Sequence, residues 1–108
     1  MATLFPHSGQ SFTLTMDNGL QIINSYHAEN DLIRVEFLSG DLTGTVMEIP
    51  FQWRELADGS FLLSWQESDN NTVVHCDNFK TGISYAYYTT MTGDFYVMEG
   101  KIRPTGGE

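Results

Sequence analysis

Three features of the sequence predict an all-β fold, a single antiparallel up-and-down β-barrel of about eight strands. Apolar and polar residues alternate with a period of two along most segments, as half-buried strands require. Turn-forming clusters centre near residues 18, 29, 41, 58, 69, 81 and 92, close to the spacing of about 8 to 12 residues found in sandwiches and barrels. No stretch keeps helical spacing long enough to name a helix. Short connections make sequential neighbours pair antiparallel, and closure into a barrel removes the exposed edges of an open sheet. A two-sheet sandwich is the alternative.

The elements follow in order. After a loose start ending at Phe5-Pro6-His7-Ser8-Gly9, Phe12, Leu14 and Met16 alternate with Ser11, Thr13 and Thr15 as the first strand. Asp17-Asn18-Gly19 is a hairpin turn, since Asn and Gly tolerate the positive φ that tight hairpins demand. The second strand runs from Leu20 to about Tyr26, and Ala28-Glu29-Asn30-Asp31 turns the chain into the third, Leu32 to Ser39. A longer loop, Gly40 to Gly44, precedes the fourth strand, Thr45 to about Leu56. Pro50 inside that strand cannot donate to a ladder, which predicts a bulge or an edge there.

Ala57-Asp58-Gly59 leads into the pair that organises the chain: Phe61/Leu63/Trp65/Glu67, the turn Ser68-Asp69-Asn70-Asn71, then Val73/His75/Asp77. Side chains two apart on a strand share a face. Lys80-Thr81-Gly82 opens the seventh strand, Ile83 to Thr90, and Met91-Thr92-Gly93-Asp94 the eighth, Phe95 to Arg103, before a Gly-rich tail. One domain covering 1–108, with its core at about 9–103 and short flexible ends, fits this length.

Composition narrows the partners. Fourteen acidic residues against five basic ones leave a net charge of −9, a field that repels nucleic acid and anionic membrane. An acidic surface of this kind also keeps a small protein soluble. The single Cys76 excludes an internal disulfide and a cysteine-built zinc site, so a cytoplasmic protein is expected. Neither a signal peptide nor an apolar run of membrane-spanning length stands out.

Candidate chemistry lies on the presumed inner face, taken as Met47/Ile49/Phe51/Trp53, Phe61/Leu63/Trp65 and Tyr85/Tyr87, the face of the large apolar residues. Glu67 ends one of these stripes. A carboxyl group among aromatics loses hydration, which raises its pKa and suits it to donate a proton or bind a ligand; at a solvated rim it does neither. His75 and Asp77 line the same cavity or, alternatively, satisfy backbone groups and cap a turn. Glu67 and His75 are the candidate acid and base, and Trp65, Asp77, Tyr85, Tyr87, Phe51 and Trp53 the candidate ligand contacts. No zinc spacing and no phosphate loop occurs, and no cofactor is expected.

The series Thr15-Met16-Asp17-Asn18-Gly19, Ser39-Gly40 with Gly44, Gly59 followed by Ser64-Trp65-x-Glu67, and Thr72-Val73-Val74-His75-x-Asp77 resembles the MoaF-like family over about residues 9 to 103. That family is named after a protein of molybdenum cofactor gene clusters, and its resemblance implies a lipocalin-like, calycin barrel. The skeleton is more distantly similar to phenolic acid decarboxylases, whose catalytic glutamate would correspond to Glu67. Their tyrosine pair falls here at Leu14 and Met16 and their arginine at Thr45, so the clamp for a substrate carboxylate is missing and that reaction is not expected.

The function expected is therefore a small-molecule-binding, MoaF-like barrel whose ligand is a small aromatic or carboxylate-bearing metabolite. The alternative is a cofactor-independent lyase or isomerase using Glu67 or His75. Homodimerisation through a strand face is a further expectation.

Overall fold

The computed structural model describes residues 4–67 and 69–105. Within them run nine strands: β1 Ser11–Met16, β2 Gln21–Tyr26, β3 Leu32–Phe37, β4 Val46–Pro50, β5 Gln52–Glu55, β6 Ser60–Gln66, β7 Thr72–Asn78, β8 Ile83–Thr89 and β9 Phe95–Pro104. All pair antiparallel in one sheet of order β4-β3-β2-β1-β9-β8-β7-β6-β5. The two margins of that sheet, β4 and β5, are consecutive in the chain and separated by Phe51 alone. One residue reaches no more than about 3.6 Å, so the sheet has to curl through nearly a full turn. The result is a nearly closed barrel, with β4 against β6 at the seam.

Nine strands replace the expected eight because Pro50 ends β4. It has no N–H to continue a ladder, and the next residue, Phe51, turns its ring inward while its own N–H donates to the Asp31 carbonyl at 2.9 Å. Sequence alternation maps onto the wall as expected elsewhere: β1, β2 and β3 bury every second residue. The β1–β2 turn closes with Gly19 at φ 91°, the backbone region that glycine adopts freely. Chain ends meet where β1 pairs β9, Leu14 opposite Ile102 and Met16 opposite Gly100. A Cβ at Gly100 would collide with the Thr15 carbonyl oxygen, so glycine lets the two strands approach.

One end of the barrel is stoppered. The segment before β1, expected to be loose, folds Phe5 into the lumen, where it is 1% exposed and packs edge-on against Phe51, Trp53 and Phe61. Leu14, Ile33, Val35 and Leu63 form the fully buried layer above it. Burying each such side chain stabilises the fold by about 1.5–3 kcal/mol. Ser68 of the expected β6–β7 turn lies outside the described residues, as do residues 1–3 and the tail at 106–108. Among the described residues no helix is long and apolar enough to cross a membrane.

Candidate functional site

The end of the barrel opposite Phe5 is hollow. A cavity of about 430 Å³ opens there, walled by Ile22, Val35 and Phe37 on one side and Trp65, Val73 and Met98 on the other. Glu67, His75, Tyr88 and Tyr96 give it polarity, and the loop at Ser39–Leu42 borders its mouth. Its construction follows from the β6–β7 hairpin. Trp65 pairs with Val73 and Leu63 with His75, so the inward file of β6 continues into that of β7. Past Trp65 the hairpin closes with the Glu67 N–H donating to the Asn71 carbonyl at 2.8 Å, and Asn70 takes φ 69°. Period-two geometry then turns Glu67 inward beside Trp65.

Glu67 is 6% exposed. The Trp65 indole Nε1–H donates to its Oε2 and the Tyr88 hydroxyl to its Oε1, both at 3.4 Å. Tyr88 in turn accepts from the Asn71 side-chain amide at 2.7 Å, which orients the phenol. Burial raises the Glu67 pKa above the ordinary carboxyl value and the Asp69 charge adds to the rise, against the pull of the Trp65 and Tyr88 hydrogen bonds and of His75. The Tyr88 phenol is likewise pushed up, chiefly by burial. Two donors at long range do not replace the water this carboxyl has lost.

His75 forms part of the cavity floor, 2% exposed, its ring stacked on Trp65 at 5.1 Å between centroids. Its Nδ1 faces Asp77 Oδ1 at 3.3 Å, and the same oxygen accepts from the Ser84 hydroxyl at 2.5 Å. The Asp77 carboxyl thus engages Nδ1, leaving Nε2 as the other ring nitrogen. Beneath this floor lies a polar layer. Asp77 Oδ2, both polar atoms of the Asn24 side chain and the Tyr26 hydroxyl are buried without a hydrogen-bond partner. The Tyr26 phenol pKa is raised well above its usual value, first by burial and then by the Asp77 charge, with the Asn24 amide pulling the other way. Asn24 is thus close to Tyr26 without reaching hydrogen-bond geometry.

The eight candidates read from the sequence separate into three groups. Glu67, His75 and Trp65 meet at the cavity, with Asp77 directly behind His75. Phe51 is buried and Trp53 partly buried at the stoppered end, both packed on Phe5, so neither borders the cavity. Tyr85 and Tyr87, expected inside, are on the outer wall, 44% and 43% exposed. Register explains the correction: β8 pairs Ser84 with Asp77, Ala86 with His75 and Tyr88 with Val73, so these three point in and the tyrosines between them point out. Opposite His75 and Asp77 the lumen has room for small residues, not for two phenols.

Sequence reasoning assigned no role in the cavity to Tyr88, Tyr96, Phe37, Met98 or Asn24. The signal for Tyr88 was present as a second alternation, Ser84/Ala86/Tyr88, whose small members suit a crowded interior. Among the described residues no three His, Cys, Asp or Glu side chains gather closely enough to hold a metal ion.

Comparison with known proteins adds the relatives. No curated protein matches this chain. Thirteen chains of solved structures resemble it. They include the crystal structure described as a "putative beta-lactamase from Burkholderia vietnamiensis", 29% identical, with a TM-score of 0.92 over 96% of this chain and 100% of that one. The family model described as MoaF-like matches residues 8–103. With that match spanning nearly the whole barrel, and the Trp65-x-Glu67 and His75-x-Asp77 pairs inside it turned to the lumen, the chain belongs to the MoaF-like family.

Proposed function

We propose that this barrel binds a small molecule in the open cavity, with Trp65, Phe37 and Met98 as walls and Glu67, Tyr88 and His75 as its polar contacts. The observation that carries the reading is a hollow of about 430 Å³ at the end away from Phe5, into which two buried ionisable side chains project. That volume lies within the range of about 300–1,000 Å³ typical of ligand sites, and a few placed polar groups in an apolar lining are their usual make-up. The ligand has a flat, ring-sized body that the Trp65 and Tyr88 rings can cover. Native mass spectrometry and thermal-shift screening of ring-bearing metabolites test this. A hit whose binding quenches tryptophan fluorescence in the parent, and is lost in Trp65→Ala but kept in Trp53→Ala, supports the site; binding insensitive to Trp65 defeats it.

A catalytic reading has its own observation. His75 backed by Asp77, together with a Glu67 whose pKa is raised by burial, pairs two proton-transfer groups of different basicity over one cavity. Cofactor-independent lyase or isomerase chemistry uses such a pair. Under it, Glu67→Gln removes turnover while ligand affinity stays nearly intact; a ligand that binds and is recovered unchanged rules it out. Acyl transfer, which the description of the Burkholderia vietnamiensis protein suggests, gains no support: the serine at this cavity, Ser39, donates to the Gly19 carbonyl and accepts the Gln21 N–H, with no base beside it.

For the outer wall we propose a second copy of the chain as partner. Leu62, Tyr85, Tyr87, Phe95 and Val97 stand exposed on β6, β8 and β9. They offer on the order of 500 Å² of apolar surface, the core of an interface that needs about 800 Å² per partner. Light scattering at twice the 12.2 kDa chain mass supports this; the single mass at high concentration ends it. A half-buried free thiol, Cys76, fits residence in a reducing cytoplasm.

A further inference from the structure

The lumen holds two carboxyl groups with a single basic partner among the described residues. Glu67 and Asp77 both face inward, 6% and 0% exposed, and His75 is the single basic side chain among the described residues that meets them. All five lysines and arginines lie elsewhere: Arg34 faces outward beside Glu36 at 3.2 Å, and Arg54, Lys80, Lys101 and Arg103 are exposed. His75 reaches only one oxygen of Asp77. The other, Oδ2, is fully buried with no donor, and across the lumen from it the Asn24 side chain and the Tyr26 hydroxyl are equally unpartnered. Buried polar atoms in native proteins are almost always paired, and a buried carboxylate oxygen above all.

Aromatic faces point the same way. Trp65, Tyr88 and Tyr96 line the cavity, Trp65 stacked on His75 and Tyr88 on Tyr96, and the negative face of a ring attracts a cation within about 6 Å of its centre. Asp41 borders the mouth, and the net charge of −9 draws cations toward it and keeps anions away. A carboxylate entering the cavity would meet two carboxyl groups in a space of low dielectric, with one imidazole to receive it.

We infer that the ligand carries an ammonium or similar organic cation on its aromatic body, received by Glu67 and the ring faces at the mouth and drawn inward by Asp77 behind His75. Of the two ligand chemistries suggested by the sequence, the ring is retained and the carboxylate gives way to its opposite charge. This inference rests on the cavity being a ligand site, so the test has to separate the two. Isothermal titration calorimetry of the full chain with tryptamine, tryptophol and indole-3-acetate compares one ring system bearing a cation, a neutral hydroxyl and an anion. The expected result is tryptamine binding at least about tenfold tighter than tryptophol, with indole-3-acetate weakest.

Equal affinity for all three keeps the ligand site and overturns the charge preference, as does any preference for the acid. Failure of all three to bind counts against the site itself. Glu67→Gln and Asp77→Asn are each expected to cut the tryptamine-to-tryptophol ratio several-fold. Glu67 sits at the mouth and its amide is isosteric, so this variant serves if Asp77→Asn disturbs the bonds to Ser84 and His75. An unchanged ratio in a folded Glu67→Gln protein overturns the role assigned to that carboxyl.

Discussion

At the end of the barrel where β1 begins, rings fill the lumen: Phe5, His7, Phe12, Tyr26, Phe51, Trp53, Phe61 and Phe79 join in successive edge-on, tilted and stacked contacts. At the other end the same strands supply Ile22, Phe37, Trp65, Val73, Tyr88 and Met98 and enclose a hollow. The walls are built alike, with every second residue inward. What differs is the stopper: a segment outside the sheet folds into one mouth and closes it, while the loop at Ser39–Leu42 only borders the other. Between the two lies the polar layer of Asn24, Asp77 and Ser84, which a barrel built for stability alone would have filled with apolar side chains. One end of this protein is packed core and the other an open cavity, and the buried polar residues mark the border.

That contrast can be broken experimentally. The largest effect is expected from Phe5→Ala, which opens a cavity among six other rings and should lower unfolding free energy by about 3–5 kcal/mol in urea titration. Trp65→Ala, which enlarges a space already open to water, is expected to cost less, about 1–3 kcal/mol. Equal losses at the two positions would abolish the distinction between packed core and open cavity.

Asn24→Leu should act in the opposite direction. It removes two unpartnered buried polar atoms at nearly constant volume and is expected to gain about 1–2 kcal/mol while weakening ligand binding. A loss of stability would mean that Asn24 holds the wall together rather than serving the lumen.

The smallest effect concerns pH. Burial raises the folded-state pKa of Glu67, so the folded chain binds that proton more tightly than the unfolded chain. Its contribution to stability is complete below the ordinary carboxyl value of 4.5 and is lost as pH climbs through the raised value. Glu67→Gln should flatten the stability profile across that window; an unaltered slope would place the carboxyl in water.

Much of this architecture was legible in the residues. The Asp17-Asn18-Gly19 turn, the strand alternation and the interruption at Pro50 all rest on local geometry, which a linear chain states openly. For Glu67 and His75 the period of two offered inward placement beside a solvated rim or a turn-capping role, and barrel closure buried both. Phe5 escaped notice because nothing periodic precedes β1. Its burial depends on a mouth assembled from β2, β5, β6 and the residues after β7, distant in sequence and adjacent only after closure.

By itself the sequence determined which side chains travel together, since the pleat assigns residues two apart to a common face without reference to anything else. Which of the two faces turns inward was decided only by tertiary structure. On β8 both faces carry tyrosine, and size alone favoured Tyr85 and Tyr87; the register with β7 set Ser84, Ala86 and Tyr88 against Asp77, His75 and Val73 and sent the other pair outside. The charge of the interior was settled in the same way. Nothing in composition singles out Glu67 and Asp77, and it is barrel closure, with every lysine and arginine left on the outer surface, that makes the lumen acidic.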